Sequence, residues 1–290
     1  MTTLDRRLHA HRADLADARL EGTVEAERFT AGTPARVSAP VIDVHSAPHA
    51  DAGIDTQFLY GDTVRVFEQR EGWAWVQADH DGYVGYVDAT SLATDAAAPT
   101  HRVTAQRSFV YPEPELKKPA VAAHSLGAGV KVAEVVENRG TRYAVLSTGG
   151  AMFAGHLRAI DDHQDDYVSV AESFLHTPYL WGGTSGFGID CSGLVQTSMR
   201  MTGQTVLRDT DMQAESIGIL IEPGENGLRR GDLVFWKGHV AIMLDHEMML
   251  HANGNTMTVA REPLKDAIER IERLYGRPTH YRRPGVSEGQ

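Results

Sequence analysis

Residues 177–195 read Thr-Pro-Tyr-Leu-Trp-Gly-Gly-Thr-Ser-Gly-Phe-Gly-Ile-Asp-Cys-Ser-Gly-Leu-Val. A glycine-rich loop, Trp181 to Gly188, runs into Asp190-Cys191-Ser192-Gly193. The helical pattern of Leu194 to Met201 follows, and Gly203 closes it. Cys191 therefore sits where a loop becomes a helix. Unpaired backbone N–H groups and the helix dipole favour an anion there, which predicts a lowered thiol pKa. Asp190 and Ser192 are both helix-capping residue types. Most lone cysteines are structural, but the loop-to-helix setting points to a nucleophile.

A cysteine nucleophile needs a base and an orienting third group. Downstream, Gly231-Asp232-Leu233-Val234-Phe235-Trp236 precedes His239, and His251 follows twelve residues later. The runs Leu233 to Trp236 and Val240 to Leu244 read as buried strands, with Met257 to Ala260 a third. Adjacent antiparallel strands would set His239 beside His251. The chain has 14 histidines, so no single one is informative. His246 to His251 imitates a zinc-protease motif but has three residues between Glu247 and His251, where HExxH has two. No metal is expected, and no other cofactor. The loop at 182–188 lacks a following Lys-Ser/Thr, so it is not a phosphate cradle.

Outward from this core the composition changes. Tyr167 to Leu175 is helical in pattern and is ended by Pro178; Leu264 to Leu274 has helical spacing before Pro278. Helices followed by an antiparallel sheet give an α+β domain over 161–290. Upstream, Thr63 to Glu68, Trp73 to Gln77 and Gly82 to Val87 are short strands parted by turns, as in a small curved barrel. The pattern returns after Ser91 to Thr100. Leu126 to Val132 echoes Tyr60 to Val66, Tyr143 to Val145 echoes Trp73 to Val76, and Phe153 to Leu157 echoes Val84 to Val87. These echoes predict two barrels, at 31–97 and 101–160; the alternative is one larger β-domain. Residues 1–30 are charged and weakly helical, and read as an extension draped over a domain.

The chain has 290 residues, one cysteine and a net charge of −11. One cysteine excludes an intrachain disulfide and a CxxC site. The acidic balance argues against nucleic-acid and anionic-lipid partners. The N-terminal stretch has acidic residues and no apolar core, so it does not read as a secretory signal, and cytoplasmic residence is the expectation. Oligomeric state leaves no trace in the sequence.

With these residues in place, the sequence resembles the NlpC/P60 family of papain-like cysteine peptidases. The matching segments are 177–183, 188–195, 231–236, 239–242 and 251–252, covering about the final 130 residues. The upstream repeat looks like the bacterial SH3 domains often fused to that catalytic domain. Thr56 to Gly61 and Gly82 to Val87 carry this likeness. The layout resembles the cytoplasmic γ-D-glutamyl-L-diamino-acid endopeptidases of murein recycling. The resemblance implies Cys191 as nucleophile, His239 as general base and acid, and His251 as orienting residue. It further implies that Asp190 and Ser192 help to hold the free N-terminal L-alanine of a muropeptide, that Tyr179 lines the site, and that Tyr83 of the first barrel supplies an aromatic contact. Members commonly carry Glu where this chain has Asp62, which leaves a direct role for Asp62 in doubt. Whether the third substrate residue is diaminopimelate or lysine is not legible. Two other readings remain: a non-catalytic peptide- or wall-binding module, and an amidase or acyltransferase on the same fold.

Overall fold

The computed structural model describes residues 4–223 and 227–285. The chain divides into two compact units, Met1–Asp162 and His163–Gln290.

The first unit holds two β-modules with separate apolar cores. In the first, β1 (Thr33–Val37), β2 (Val41–His45), β3 (Ile54–Leu59), β4 (Thr63–Arg70), β5 (Trp73–Ala78), β6 (Val84–Asp88) and β7 (Leu92–Ala93) form one antiparallel sheet, ordered β3-β2-β6-β5-β4-β1-β7. Alternation along β4 buries Val64 and Val66, and a face of each longer strand meets the same core of Val44, Phe58, Val76 and Val87. The β4–β5 hairpin turns on two residues, Glu71 and Gly72, both at positive φ (52° and 84°). This is the type I′ geometry whose twist matches its flanking strands.

The second module comprises β8 (His101–Val103), β9 (Arg107–Val110), β10 (Ala122–Ser125), β11 (Gly129–Val130), β12 (Val132–Asn138), β13 (Thr141–Leu146), β14 (Ala151–Phe153) and β15 (Leu157–Ala159), paired in three small sheets, β11-β8-β15, β9-β10 and β12-β13-β14. Arg139 and Gly140, at φ 52° and 77°, make the matching two-residue turn. A bulge at Val132/Glu134 corresponds to one at Val66/Glu68. One echo is displaced. Phe153 to Leu157 matches Asp88 to Leu92, because both segments leave a strand through a 3₁₀ turn, Ala154–His156 and Ala89–Ser91. The modules also touch: Gly129 N–H donates to the Tyr60 carbonyl at 2.8 Å, and the rings of Tyr60 and His124 lie 4.4 Å apart.

The N-terminal segment contains no α-helix among its described residues, contrary to its weakly helical pattern. It runs over the first module as extended chain and a 3₁₀ turn at Ala18–Leu20. Ala10 and Leu15 bury Phe67 and Trp75. The Arg12 guanidinium lies over the Trp75 ring at 4.4 Å and donates to Glu68 at 2.7 Å and to the Tyr86 hydroxyl at 3.1 Å.

The second unit is built on six antiparallel strands. Besides a short hairpin of Thr184–Ser185 with Gly188–Ile189, its helices and main-sheet strands in chain order are α1 (Tyr167–Glu172), α2 (Cys191–Arg200), α3 (Thr210–Ser216), β16 (Ile219–Leu220), β17 (Leu233–Trp236), β18 (His239–Met243), β19 (Met248–Asn253), β20 (Thr258–Pro263), α4 (Leu264–Tyr275) and β21 (His280–Arg283). The sheet order is β16-β21-β17-β18-β19-β20. Alternation splits it into two faces. Val234, Trp236, Ala241, Met243 and Met249 pack with Ala267 and Ile271 of α4. Helix α2 packs against β18 and β19. Buried Asp232, opening β17, holds Arg283 of β21 through two 2.7 Å hydrogen bonds. The α+β architecture expected for this region is the one observed. No helix among the described residues is long and apolar enough to cross a membrane.

Candidate active site

Cys191 is the first residue of α2, three residues earlier than the apolar periodicity suggests, because Asp190 caps the helix. Asp190 is extended (φ −100°), and its carboxylate accepts the Gly193 N–H at 2.7 Å. The loop before it is pinned at both ends: Tyr179 N–H donates to the Met257 carbonyl at 2.8 Å and Asp190 N–H to the Gly183 carbonyl at 3.0 Å. Glycine at 193 is obligatory. A Cβ there would meet the Gly183 oxygen at 2.2 Å, so only glycine lets the helix start lie against the loop.

Asp190 has further partners that the sequence did not announce. Arg208, fully buried at 1% exposure, donates to one Asp190 oxygen at 3.1 Å and to the other at 2.6 Å. The same guanidinium donates to Ser192 Oγ at 2.7 Å, and Gly182 N–H donates to Asp190 Oδ2 at 2.9 Å. Ser192 Oγ lies 3.4 Å from Asp190 Oδ1. An ionised carboxylate offers about four lone-pair sites. Arg208, Gly182 and Gly193 already supply four hydrogen bonds to it. Asp190 and Ser192 thus have a definite structural occupation, fixing the start of the helix that carries Cys191.

The strands bring the histidines together. Pairing of β18 with β19 joins Ile242 to Leu250 and Met243 to Met249, so beyond Ile242 the two strands part towards His239. The Cys191 sulfur comes to that end: the backbone N–H of Val240, next in chain to His239, favours its thiolate, and Thr210 Oγ1 lies 3.9 Å away. His239 enters β18 from a two-residue turn whose Gly238 has φ 75°. Its ring lies 5.7 Å from that of Trp236. His239 Nε2 is 2.9 Å from His251 Nδ1. His251 lies inside β19, and not just after a strand as its sequence context suggested; it is 1% exposed. Its other nitrogen, Nε2, is 3.2 Å from Glu262 Oε2 of β20, an ion-pair approach too bent for a full hydrogen bond. Glu262 is held in turn by Arg270 of α4, whose Nε donates at 3.0 Å. Glu262, Arg270 and Arg208 were all missed by sequence reading.

Protonation runs against one expectation. Burial, and then the negative charge of Asp190, push the Cys191 thiol up to about 11. The Val240 N–H, the Thr210 hydroxyl and Arg208 pull the other way and do not prevail. The expected fall in thiol pKa is therefore not met, because helix position was legible but burial was not. Burial, followed by the charges of His251 and Arg270, lowers His239 to about 3. The resting pair is a neutral thiol and a neutral imidazole.

Tyr179 is half-buried, and its phenol pKa is raised by burial and then by charge on Cys191 and Asp190, which places it within electrostatic reach of the thiol. Tyr83 belongs to the first unit, where it is 3% exposed and its N–H donates to Asp81 Oδ1 at 3.0 Å. Asp62, also in that unit, accepts the Leu59 N–H at 2.8 Å within a turn. The zinc-motif imitation runs from exposed His246 in a turn into the strand at His251, so the helical geometry that HExxH requires does not arise.

A helix-borne cysteine and two hydrogen-bonded histidines on neighbouring strands, on an α+β scaffold, make a candidate cysteine-peptidase site. The comparisons identify the domain family. Residues 176–272 match the NlpC/P60 family, and residues 44–92 match the bacterial dipeptidyl-peptidase Sh3 domain. The second unit thus carries an NlpC/P60 domain, with a bacterial SH3-type domain ahead of it in the chain. It is 27% identical over 248 residues to dipeptidyl-peptidase 6 of Lysinibacillus sphaericus, covering 77% of this chain and 89% of that one. It is 26% identical over 238 residues to a γ-D-glutamyl-L-lysine dipeptidyl-peptidase of Bacillus cereus, covering 73% and 71%. In fold it resembles an NlpC/P60 family protein from Bacillus cereus at TM-score 0.72 and 22% identity, over 87% of this chain and 99% of that one.

Proposed function

We propose that this protein is a cysteine peptidase that hydrolyses the γ-D-glutamyl–diamino acid bond of muropeptides with a free N-terminal L-alanine, in the cytoplasmic recycling of peptidoglycan. The observation that carries the proposal is Cys191 at the start of α2, on the helix packed against β18 and β19, where His239 Nε2 lies 2.9 Å from His251 Nδ1. Relatives named for dipeptidyl-peptidase activity support the substrate class.

The mechanism follows from the neutral resting pair. His239 Nε2 is engaged by His251, so Nδ1 is the nitrogen that takes the thiol proton as sulfur attacks the γ-carbonyl of D-Glu. The Cys191 backbone N–H at the helix start stabilises the oxyanion. The imidazolium returns its proton to the leaving amine as the C–N bond breaks, giving a thioester. His239 then takes a proton from water, whose oxygen attacks the thioester carbon. Collapse returns the thiol and releases L-Ala-D-Glu.

Tyr179 is proposed to line the cleft beside the thiol. Asp190 and Ser192 enter the proposal with their side chains already engaged by Arg208. Their contact with the substrate amine would have to be made alongside that guanidinium. The diamino acid is meso-diaminopimelate or L-lysine. Cys191→Ala tests the nucleophile: release of L-Ala-D-Glu should cease with the fold intact, and retained turnover would end the assignment.

A further inference from the structure

We propose that Glu262 is a positioning residue whose charge beside His251 sets the direction of the His251–His239 hydrogen bond, and so leaves Nδ1 of His239 without a proton. The inference rests on the peptidase reading for its catalytic consequence, but its structural content stands apart from it.

The geometry is a file of four side chains, Arg270, Glu262, His251 and His239, one from each of four consecutive elements. Glu262 opposes Met249 in the β19–β20 ladder, two residues along from His251, which opposes Ala260. Two-residue periodicity therefore puts Glu262 and His251 on one face. Helix α4 covers that face and supplies Arg270, which grips both Glu262 oxygens. Burial works against the Glu262 carboxylate, but the approach of His251 and the hydrogen bonds from Arg270 outweigh it and hold it down at about 2. It is therefore ionised and can only accept.

The proton positions follow in order. The negative charge of Glu262, 3.2 Å from His251 Nε2, favours the hydrogen on that nitrogen, so in neutral His251 the Nδ1 is a bare acceptor. His239 Nε2, 2.9 Å away, must then be the donor. Neutral His239 is left with a lone pair on Nδ1, the form a general base requires. A neutral partner in place of Glu262 would leave both tautomer chains open. The same carboxylate also favours the imidazolium that forms when His239 takes the thiol proton.

Glu262→Gln is the decisive variant because it keeps the shape. Arg270 has only donors, so it will hold the amide oxygen and turn the amide N–H towards His251 Nε2. That reverses the chain and puts the hydrogen of His239 on Nδ1. Two-dimensional ¹H–¹⁵N spectra of the ring nitrogens, assigned with His239→Ala and His251→Ala, should show Nε2–H on His239 in the wild type and Nδ1–H in E262Q. With L-Ala-γ-D-Glu-meso-diaminopimelate, kcat should fall about ten- to a hundredfold, the scale on which partners of functional imidazoles act, while KM stays within about twofold. Glu262→Asp, which keeps the carboxylate, should retain the wild-type tautomer and most of kcat. An unchanged tautomer in E262Q, or E262D no better than E262Q, overturns the proposal. If the wild type itself leaves the tripeptide intact, the peptidase reading fails, and the ring-nitrogen spectra still decide the role of Glu262.

Discussion

Arg208→Met removes the cation from a buried pair and keeps the length of its stem. The Arg208 side chain is 1% exposed and that of Asp190 10%, with a closest approach of 2.6 Å. Removing one partner of a buried ion pair costs about 3–5 kcal/mol, because the other charge stays desolvated. For a unit of the size of residues 163–290, that lowers the melting point by about 10–20 °C. Differential scanning calorimetry should show the loss in the transition of the catalytic unit. Asp190→Asn supplies the control, since Asn caps a helix as well as Asp does. The double variant R208M/D190N has no orphaned charge, so its cost should fall short of the sum of the single costs by about 2 kcal/mol or more. A drop under about 2 °C in R208M, or strict additivity in the cycle, would refute the claim that this pair anchors the helix of Cys191.

Other consequences can be checked with simple assays. The Cys191 thiol is pushed up to about 11, so iodoacetamide alkylation should still be climbing above pH 9; a plateau below about pH 8 would indicate a resting thiolate–imidazolium pair. Burial lowers His124 to about 4 and, with the charges of His251 and Arg270, His239 to about 3, from 6.5 in each case. Below pH 6.5 the unfolded chain takes up protons that the folded one refuses. Stability is therefore complete above pH 6.5 and declines as pH falls, by about 3 kcal/mol per histidine at pH 4. Urea titrations of His124→Gln should show less acid sensitivity in the first unit, and equal sensitivity would show that carboxylates alone are responsible. Deleting residues 1–30 uncovers Phe67 and Trp75, now 7% and 4% exposed, and should destabilise the first module by about 3–5 kcal/mol; an unchanged first-unit melting point would contradict that packing.

What the sequence disclosed was local. Val64 and Val66 alternate within one strand, Glu71-Gly72 is a turn by its own chemistry, and Cys191 sits at a loop-to-helix boundary that five residue types mark. What it hid depends on register or closure. Glu262 meets His251 only because β19 and β20 pair with Met249 opposite Glu262. Arg208 lies in a loop, where an arginine reads as solvated; only folding buries it against Asp190. The strand His280–Arg283 has two arginines and no apolar alternation, so no strand was expected there, yet it completes the sheet beside β17. Helix α3 is seven residues with little apolar stripe. The thiol misled for a related reason: a helix terminus is visible in sequence, whereas the burial that outweighs it is not.

The central claim is a cysteine peptidase that cuts after γ-D-Glu and reads a free amine. Mass spectrometry of L-Ala-γ-D-Glu-meso-diaminopimelate incubated with the protein, alongside its N-acetylated form, tests bond and end-group together. The account predicts L-Ala-D-Glu and free diaminopimelate from the first peptide and almost nothing from the second. Intact tripeptide, or cleavage of both forms at equal rates, would contradict it.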